Sequence, residues 1–599
     1  MQPIEFARRG RRAPVSSSLL LCVLLLGAAG IARADVVVCD DKSGLRLPPG
    51  SSTTDLEVTG PCEVKPGATY TFRNVNVFRD RRTDPDRKYG GTLKFLDPRK
   101  GENTDFFAQS IVVENHGSLI AGTPTQPIGP EGKVTIHLWG PENAPGITCK
   151  TDDQCGVPDE VWNSNATPDP KSCNAMEIPA DETSSGGVIG GDSSQLGKRR
   201  DRAPSKDCFY RYEKLDKSDS DPHAYFGHKV LALSYGGTLQ LFGDKGAIYD
   251  GRERSKCKDK EPSCTGTSWV RLKGSIQPGD AMKKLQLDGV VDWRDGDHFI
   301  VSTTDYLPSH SEELVVVGAP DVGNGTTTIT YKNADGKTPG VKWPHNGEVY
   351  DFGTLPSRLG IQRKSAETRA AVALLSRNIE IVSEGDQPVA KSFTDGYFGG
   401  HTIVRQGFDT YQIQGVRFHQ LGQGGAIMHY PVHFHMARRT PQSPTDPDKP
   451  ITFVKDSSVD DSMTRWITIH ATQGVTLARN VGYLSIGHGY YLEDGTETEN
   501  RFFANLGVFA RAAVDNDNNP RRVPGILTAT APADQKNNAG FDNFPYYSDS
   551  NNPAVFWIMN GWNDFEYNMA AGAGTCGACY WLVPGAISGP SRDQKWFGY

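Results

Sequence analysis

After its first 26 residues the chain has no apolar run long enough to cross a bilayer as a helix. It is also short of positive charge. There are 64 lysines and arginines against 71 aspartates and glutamates, for a formal net charge of −7. That balance argues against the broad basic surface by which proteins hold nucleic acid. It also removes any general attraction for polyanionic glycans, so an acidic substrate would need a local basic groove. Apolar stripes at helical spacing are lacking too. Glycine and proline are abundant instead, 65 and 39 residues, and they punctuate short β-branched runs.

The one apolar run, Leu19 to Leu26, follows Arg8, Arg9, Arg11 and Arg12 and precedes Ala32-Arg33-Ala34, a small-x-small cleavage pattern. Residues 1–34 read as a secretory signal peptide cut before Asp35. The paired arginines raise a twin-arginine signal, but the residues that should follow the pair are missing, which favours general secretion. The mature chain is therefore expected to be secreted or periplasmic. Loss of five arginines and one glutamate takes its charge to −11. Ten cysteines remain once Cys22 leaves with the signal, an even number suited to an oxidising compartment. Close spacing predicts bridges Cys39–Cys62, Cys257–Cys264 and Cys576–Cys579. The last pair has redox or metal spacing as well, but export favours a structural disulfide. Cys149, Cys155, Cys173 and Cys208 sit in or beside a polar insertion at about 150–225.

Runs such as "SIVVENHGSLIAG", "GKVTIHLWG" and "VLALSYGGTLQLFG" are four-to-seven-residue strands closed by Gly, Asn or Asp, so the fold class is all-β. In the second half, "RNIEIVSEGD", "YQIQGVRFHQLG", "GVTLARNVGY" and "NRFFANLGVFA" share one form: apolar alternation, a polar residue, then a turn. Asn480 and Asn505 stand 25 residues apart in related stretches. Loose repeats of that length, each a strand-rich coil, predict a parallel β-helix with asparagines stacked at its corners.

The glycine-spaced strands from Gly117-Ser118-Leu119-Ile120-Ala121-Gly122 through Leu138-Trp139-Gly140 to Gly237-Thr238-Leu239 resemble a G8 domain. Beyond them "SWVRLKG", "DWRDGDHFIV", "LLSRNIEIVSEGD", "FGGHTIVRQG", "HQLGQGG", "YPVHFHMA", "TIHATQGVTLARNVGY" and "GHGYYLEDG" follow in order. In this the chain resembles the family of cell-migration-inducing hyaluronidase and transmembrane protein 2. The resemblance implies a right-handed parallel β-helix after the G8-type domain, with cleavage or binding of hyaluronan. Fibrocystin-like proteins share both parts without known chemistry, so fold alone does not decide activity. The expected division is a G8-like domain over 35–245, a β-rich connection over 246–365 and the β-helix over 366–599.

The stretch "HYPVHFHMA", residues 429–437, alternates histidines with Val432, Phe434 and Met436, as in a strand with one apolar face. Alignment with "WITIHAT" and "YYLEDG" places Val432, Phe434, Ile467, Ile469, Tyr490 and Leu492 inward. The outward columns then read His435, His470, Glu493 and His433, Thr468, Tyr491. Adjacent coils lie about 4.8 Å apart, which would make a ladder on one outer face. Two imidazoles and a carboxylate can hold a divalent metal, calcium or a transition metal, through His435, His470 and Glu493. Alternatively Glu493 or Asp494 serves as general acid or base beside the imidazoles. Tyr430, His433 and Arg465 have the side-chain types that elimination beside a uronate carboxylate would need.

Arg465, His488, Arg438, Gln423 and His419 are candidate substrate contacts, and Arg405, Arg417 and Arg439 add charge along the same coils. His401 is a weaker candidate. The "DWRDGD" stretch, Asp292 to Asp297, offers calcium or glycan contacts through Asp292, Arg294 and Asp297, or simply a turn. The expected function is an exported enzyme degrading hyaluronan or a related uronic-acid or amino-sugar polymer, hydrolysis favoured over elimination. The alternative is a non-catalytic glycan-binding or adhesion protein.

Overall fold

The computed structural model describes residues 35–40, 47–79, 90–141, 226–249, 267–351, 353, 365–385, 399–423, 429–443, 450–511 and 553–582, less Tyr235, Asp494, Thr575 and Cys576. The signal segment, the whole 150–225 insertion and the Cys257–Cys264 pair lie outside these residues. The regular elements described are strands, apart from a three-residue 3-10 turn at Pro308–His310.

The strands stack as parallel coils. Thr410–Gln414, Val416–His419 and Val432–Arg439 make one coil. Each pairs in parallel with its counterpart in the next coil, Thr452–Lys455, Ser458–Asp460 and Ile467–Gln473. Thr476–Ala478, Val481–Ile486 and Tyr490–Leu492 follow, then Arg501–Phe503, Leu506–Arg511 and Ala554–Ile558. Asp564–Glu566, Met569–Ala573 and Ala578–Leu582 complete the described coils. Period-two alternation sends Val432, Phe434, Ile467, Ile469, Tyr490 and Leu492 into one continuous core, as their spacing predicts.

The stack also runs upstream without a break. Thr238–Phe242, Ile379–Ser383 and His401–Val404 sit on the histidine-bearing coil, and Ser118–Ala121, Lys133–Leu138 and Val230–Leu233 sit on them in turn. The divide expected between 245 and 366 is therefore an insertion within one coil, not a junction between two stacks. Between Phe242 and Ile379 the chain leaves to form a seven-stranded antiparallel sheet. That sheet lies on the helix, with Ile300, Ala371, Ala373 and Leu375 packed on Val481, Tyr483, Leu506 and Val508. Trp269 Nε1 donates to the Ala504 carbonyl at 2.8 Å, and buried Arg377 bonds both Ser268 Oγ and the Asp456 carbonyl.

The corners are held by stacked amides. Asn505 Oδ1 accepts from the backbone N–H of Asn480 at 3.0 Å, and Asn568 Oδ1 accepts from that of Asn505 at 2.9 Å. Arg479, Ala504 and Tyr567, each just before an asparagine, take left-handed φ of 56°, 52° and 57°, which turns the chain from one strand into the next. A second ladder, Asn500 on Asn563, was not visible in the sequence, where 63 residues separate the two.

The Cys39–Cys62 disulfide is formed. Cys579 is an exposed thiol; its expected partner Cys576 lies outside the described residues. The Asp292–Asp297 stretch is a turn that docks the insertion. Arg294 N donates to Asp297 Oδ2 at 2.7 Å, Asp297 pairs with Lys245, and Gly246 N donates to Asp292 Oδ2 at 2.8 Å. Asp292 and Asp297 are buried, which removes them as surface contacts for a glycan. Burial, reinforced by Asp244 and Asp297, pushes the Asp292 carboxyl up to about 7.

Candidate functional site

The site forms where three coils pass one another. In register, His433 lies opposite Thr468 and His435 opposite His470. Thr468 in turn faces Tyr491, and Glu493 N donates to the Ile469 carbonyl at 3.0 Å, which continues the ladder by one more residue. Consecutive coils therefore place His435, His470 and Glu493 in one column. His435 Nδ1 and His470 Nδ1 are 3.2 Å apart. The nearer Glu493 oxygen stands 3.8 Å from His470 Nδ1 and 3.9 Å from His433 Nε2.

The column faces away from the helix interior, yet it does not face water. His433 and His435 are 0% exposed and His470 is 1% exposed. The expectation of an open outer ladder is corrected here. Outward positions of the preceding coils, Val112, Ala232 and Ile403, pack with Phe226 into a buried cluster on the same face, so burial of this face extends beyond the histidines. Glu493 keeps 12% of its side chain open and forms the accessible edge.

Tyr430 reaches Glu493, and Arg465 packs on Tyr430 and Tyr491 in turn. Tyr430 Oη donates to Glu493 Oε1 at 3.5 Å. The Arg465 guanidinium lies over two rings, 3.6 Å from the centroid of Tyr491 and 4.6 Å from that of Tyr430, an arrangement that favours a buried cation. Its neighbour Trp466 fills the helix interior, where a Cβ at Gly482 or Gly489 would lie 2.3 Å from the indole. Those glycines admit the tryptophan and so fix where Arg465 begins. Glu497, which the sequence did not single out, holds the chain beyond Glu493. Its fully buried carboxylate accepts from Ala471 N at 2.7 Å and from Gly495 N at 2.9 Å.

The remaining sequence candidates separate. His488 is buried, accepts from Ala554 N at 2.8 Å through Nδ1, and packs its ring on Tyr491 and Trp557. Gln423 lies at the margin, its N–H on the His429 carbonyl and its amide on the His228 carbonyl. His419 and Arg417 belong to the adjacent strand and join Asp460, at 2.7 Å each, away from Glu493. Although burial pushes Asp460 up, Arg417 and His419 hold its carboxyl well below the usual range. Arg439 pairs with Glu499 at 2.9 Å. Arg438 is placed only as a strand residue opposite Thr472, and Asp494 lies outside the described residues. His401 and His429, the latter not among the sequence candidates, stack at 4.3 Å beside this cluster. Burial drives His401 well below the ordinary imidazole value and His429 down to about 4, so both are neutral.

With this geometry established, comparison with known proteins supplies a family context. Residues 88–156 match the G8 domain and residues 397–596 match the CEMIP beta-helix, as the resemblance in the sequence implied. The chain is 29% identical over 357 residues to Communication mutant protein F of Dictyostelium discoideum, covering 58% of this chain and 25% of that protein. It is 29% identical over 331 residues to the Cell migration-inducing and hyaluronan-binding protein of Mus musculus, 52% of this chain and 21% of that one. It is 28% identical over 331 residues to Cell surface hyaluronidase CEMIP2 of Homo sapiens, again 52% and 21%. The chain thus spans a quarter or less of the length of these relatives. Every residue of the histidine and glutamate cluster falls inside the β-helix match.

Proposed function

We propose that this chain, which joins a G8 domain to a CEMIP beta-helix, cleaves a uronic-acid and amino-sugar polysaccharide of the hyaluronan type at the Glu493 site. The observation that carries this reading is one carboxylate at the open edge of an otherwise buried cluster, facing imidazoles and a phenol on whose ring a guanidinium packs. Breaking a glycosidic bond requires a proton for the leaving oxygen and a base for the attacking water. In this reading Glu493 takes the proton of the attacking water and delivers a proton to the leaving oxygen, one carboxylate serving both needs in turn, while Tyr430 Oη orients it. Arg465, buried over the Tyr430 and Tyr491 rings, adds positive charge behind the site and acts on a uronate carboxylate through its field, not by contact. Relatives named as a hyaluronidase and as hyaluronan-binding support this substrate class. The signal segment read at the start of the chain adds export to the proposal. No helix among the described residues is long and apolar enough to cross a membrane.

The test is to incubate the purified chain with a panel of uronate polymers, with and without added divalent ions, and to measure chain length by size-exclusion chromatography with light scattering. Shortening of hyaluronan or a close analogue is expected. An unchanged length for every polymer contradicts the proposal, and saturable binding without shortening makes the protein a glycan-binding module. Mass spectra of any products separate the two chemistries: hydrolysis adds water, whereas elimination leaves an unsaturated uronate.

A further inference from the structure

We infer that His433, His435 and His470 are the ligands of a resident transition-metal ion, and that Glu493 stands beside this ion without completing its ligand set. The inference goes beyond the proposed cleavage and does not require it. One ligand nitrogen from each histidine lies within 4.8 Å of the other two, and no other such group of three occurs among the described residues. The sheet makes this arrangement. His433 and His435 leave one face of a strand two residues apart, and His470 reaches the same point from the strand alongside.

The separation of one pair is that of two ligands on a common ion. Nitrogens bound at about 2.0–2.1 Å in a tetrahedral site lie roughly 3.3 Å from one another. His435 Nδ1 and His470 Nδ1 are 3.2 Å apart. A plain hydrogen bond between them would need one ring to present a lone pair and the other a proton. An ion takes a lone pair from each, and it also accounts for the third imidazole, whose ring is parallel to that of His470 within 2°. All three rings are buried, so the strands fix their directions before any ion arrives.

The donor chemistry selects the metal. Three nitrogens suit zinc, cobalt, nickel or copper and do not suit calcium, which takes oxygen ligands. The set expected from the sequence, His435, His470 and Glu493, changes accordingly, with His433 in place of the carboxylate. Three protein ligands leave a position open, where a bound ion supplies Lewis acidity and a water of lowered pKa. Glu493, 3.8 and 3.9 Å from two of the imidazoles, borders that position as the proton acceptor.

Elemental analysis of the full chain, purified without chelator and then refilled with zinc or cobalt, tests the inference. About one ion per chain is expected, with a fall in melting temperature on chelation and recovery on refilling. Cobalt in the native chain should show visible ligand-field absorption, a readout that needs no substitution. His433→Ala, His435→Ala and His470→Ala should each weaken binding at least 100-fold, whereas Glu493→Gln should keep the metal and the spectrum. Failure of the native chain to hold zinc or cobalt overturns the inference, as does retention of the ion by the histidine variants. Loss of the ion from Glu493→Gln restores the carboxylate set. A metal-loaded chain that shortens no polymer would leave the ligand set standing and remove only the proposed cleavage.

Discussion

Two polar columns run along the same coils, one residue per coil, and they are held in opposite ways. In the asparagine column each amide oxygen accepts from the backbone of the coil before it, and each amide nitrogen donates to a carbonyl, as Asn505 Nδ2 does to Leu477 at 2.9 Å. The histidine column turns its polar atoms toward one another. His435 meets His470 nitrogen to nitrogen, and Glu493 and Tyr430 meet above them. The first arrangement saturates the backbone of the corners and leaves nothing for a ligand to do. The second gathers groups whose chemistry concerns a third party. Column stacking alone does not signal function, because a β-helix stacks like residues wherever the coils repeat; the direction of the hydrogen bonds separates the two cases.

Substitutions in the two columns should therefore separate activity from stability. The largest effect is expected for His470→Ala: a fall in polysaccharide cleavage of about 1,000-fold or more, since a ligand or proton-transfer group has no substitute in its column. On an open surface this substitution would change stability little; because His470 is buried, a moderate loss is expected, of the order of 2 kcal/mol for a truncated interior side chain. Glu493→Gln should lower the rate by about 100- to 10,000-fold with the melting curve nearly unmoved, because the amide keeps the shape. Initial rates and thermal melts on the same preparations check both variants.

Asn505→Ala should give the reverse pattern. It removes the partner of two buried donors on Asn480, at about 1–3 kcal/mol for each unsatisfied group, while the rate per folded molecule is retained. Full activity loss in folded Asn505→Ala would erase the distinction between the columns.

Asp292 gives a pH-dependent effect at the docked insertion. Its carboxyl is raised in the folded state from 3.8 to about 7, chiefly by burial. Below pH 3.8 the group is protonated whether the chain is folded or not, and it costs nothing. As pH rises from there through 7 the unfolded chain ionises first, so stability is lost over that window and stays lost above it. Asp292→Asn should then melt higher than the native chain at pH 8 and at nearly the same temperature at pH 4. Equal shifts at both pH values would contradict this. The smallest effect is expected from Trp269→Phe, which deletes the 2.8 Å bond to Ala504 and should cost about 1 kcal/mol in chemical denaturation.

Much of the stack was legible because its periods are short. Alternation fixed which of Val432 to His435 face the core, and coil lengths of 23 to 25 residues aligned His470 with Glu493 and Asn480 with Asn505. What was not legible depends on contacts made from far away in the chain. The histidine face is buried, and the cluster on that same face joins Val112, Phe226 and Ala232 to Ile403, which local pattern could not announce. Continuity of the first coils with the last was hidden by the antiparallel insertion, which breaks the spacing between Phe242 and Ile379. His419 and Arg417 share the composition of the site. They lie before the corner that separates their strand from Val432–Arg439, and Asp460 takes both.

The central claim is that Glu493 and its buried imidazoles cleave a uronate polymer. The most direct measurement compares the length distribution of hyaluronan after incubation with the native chain and with Glu493→Gln, each saturated with zinc and confirmed folded by its melting curve. The account predicts progressive shortening by the native chain and an unchanged polymer with the variant. Equal shortening by both would place the chemistry elsewhere on the molecule.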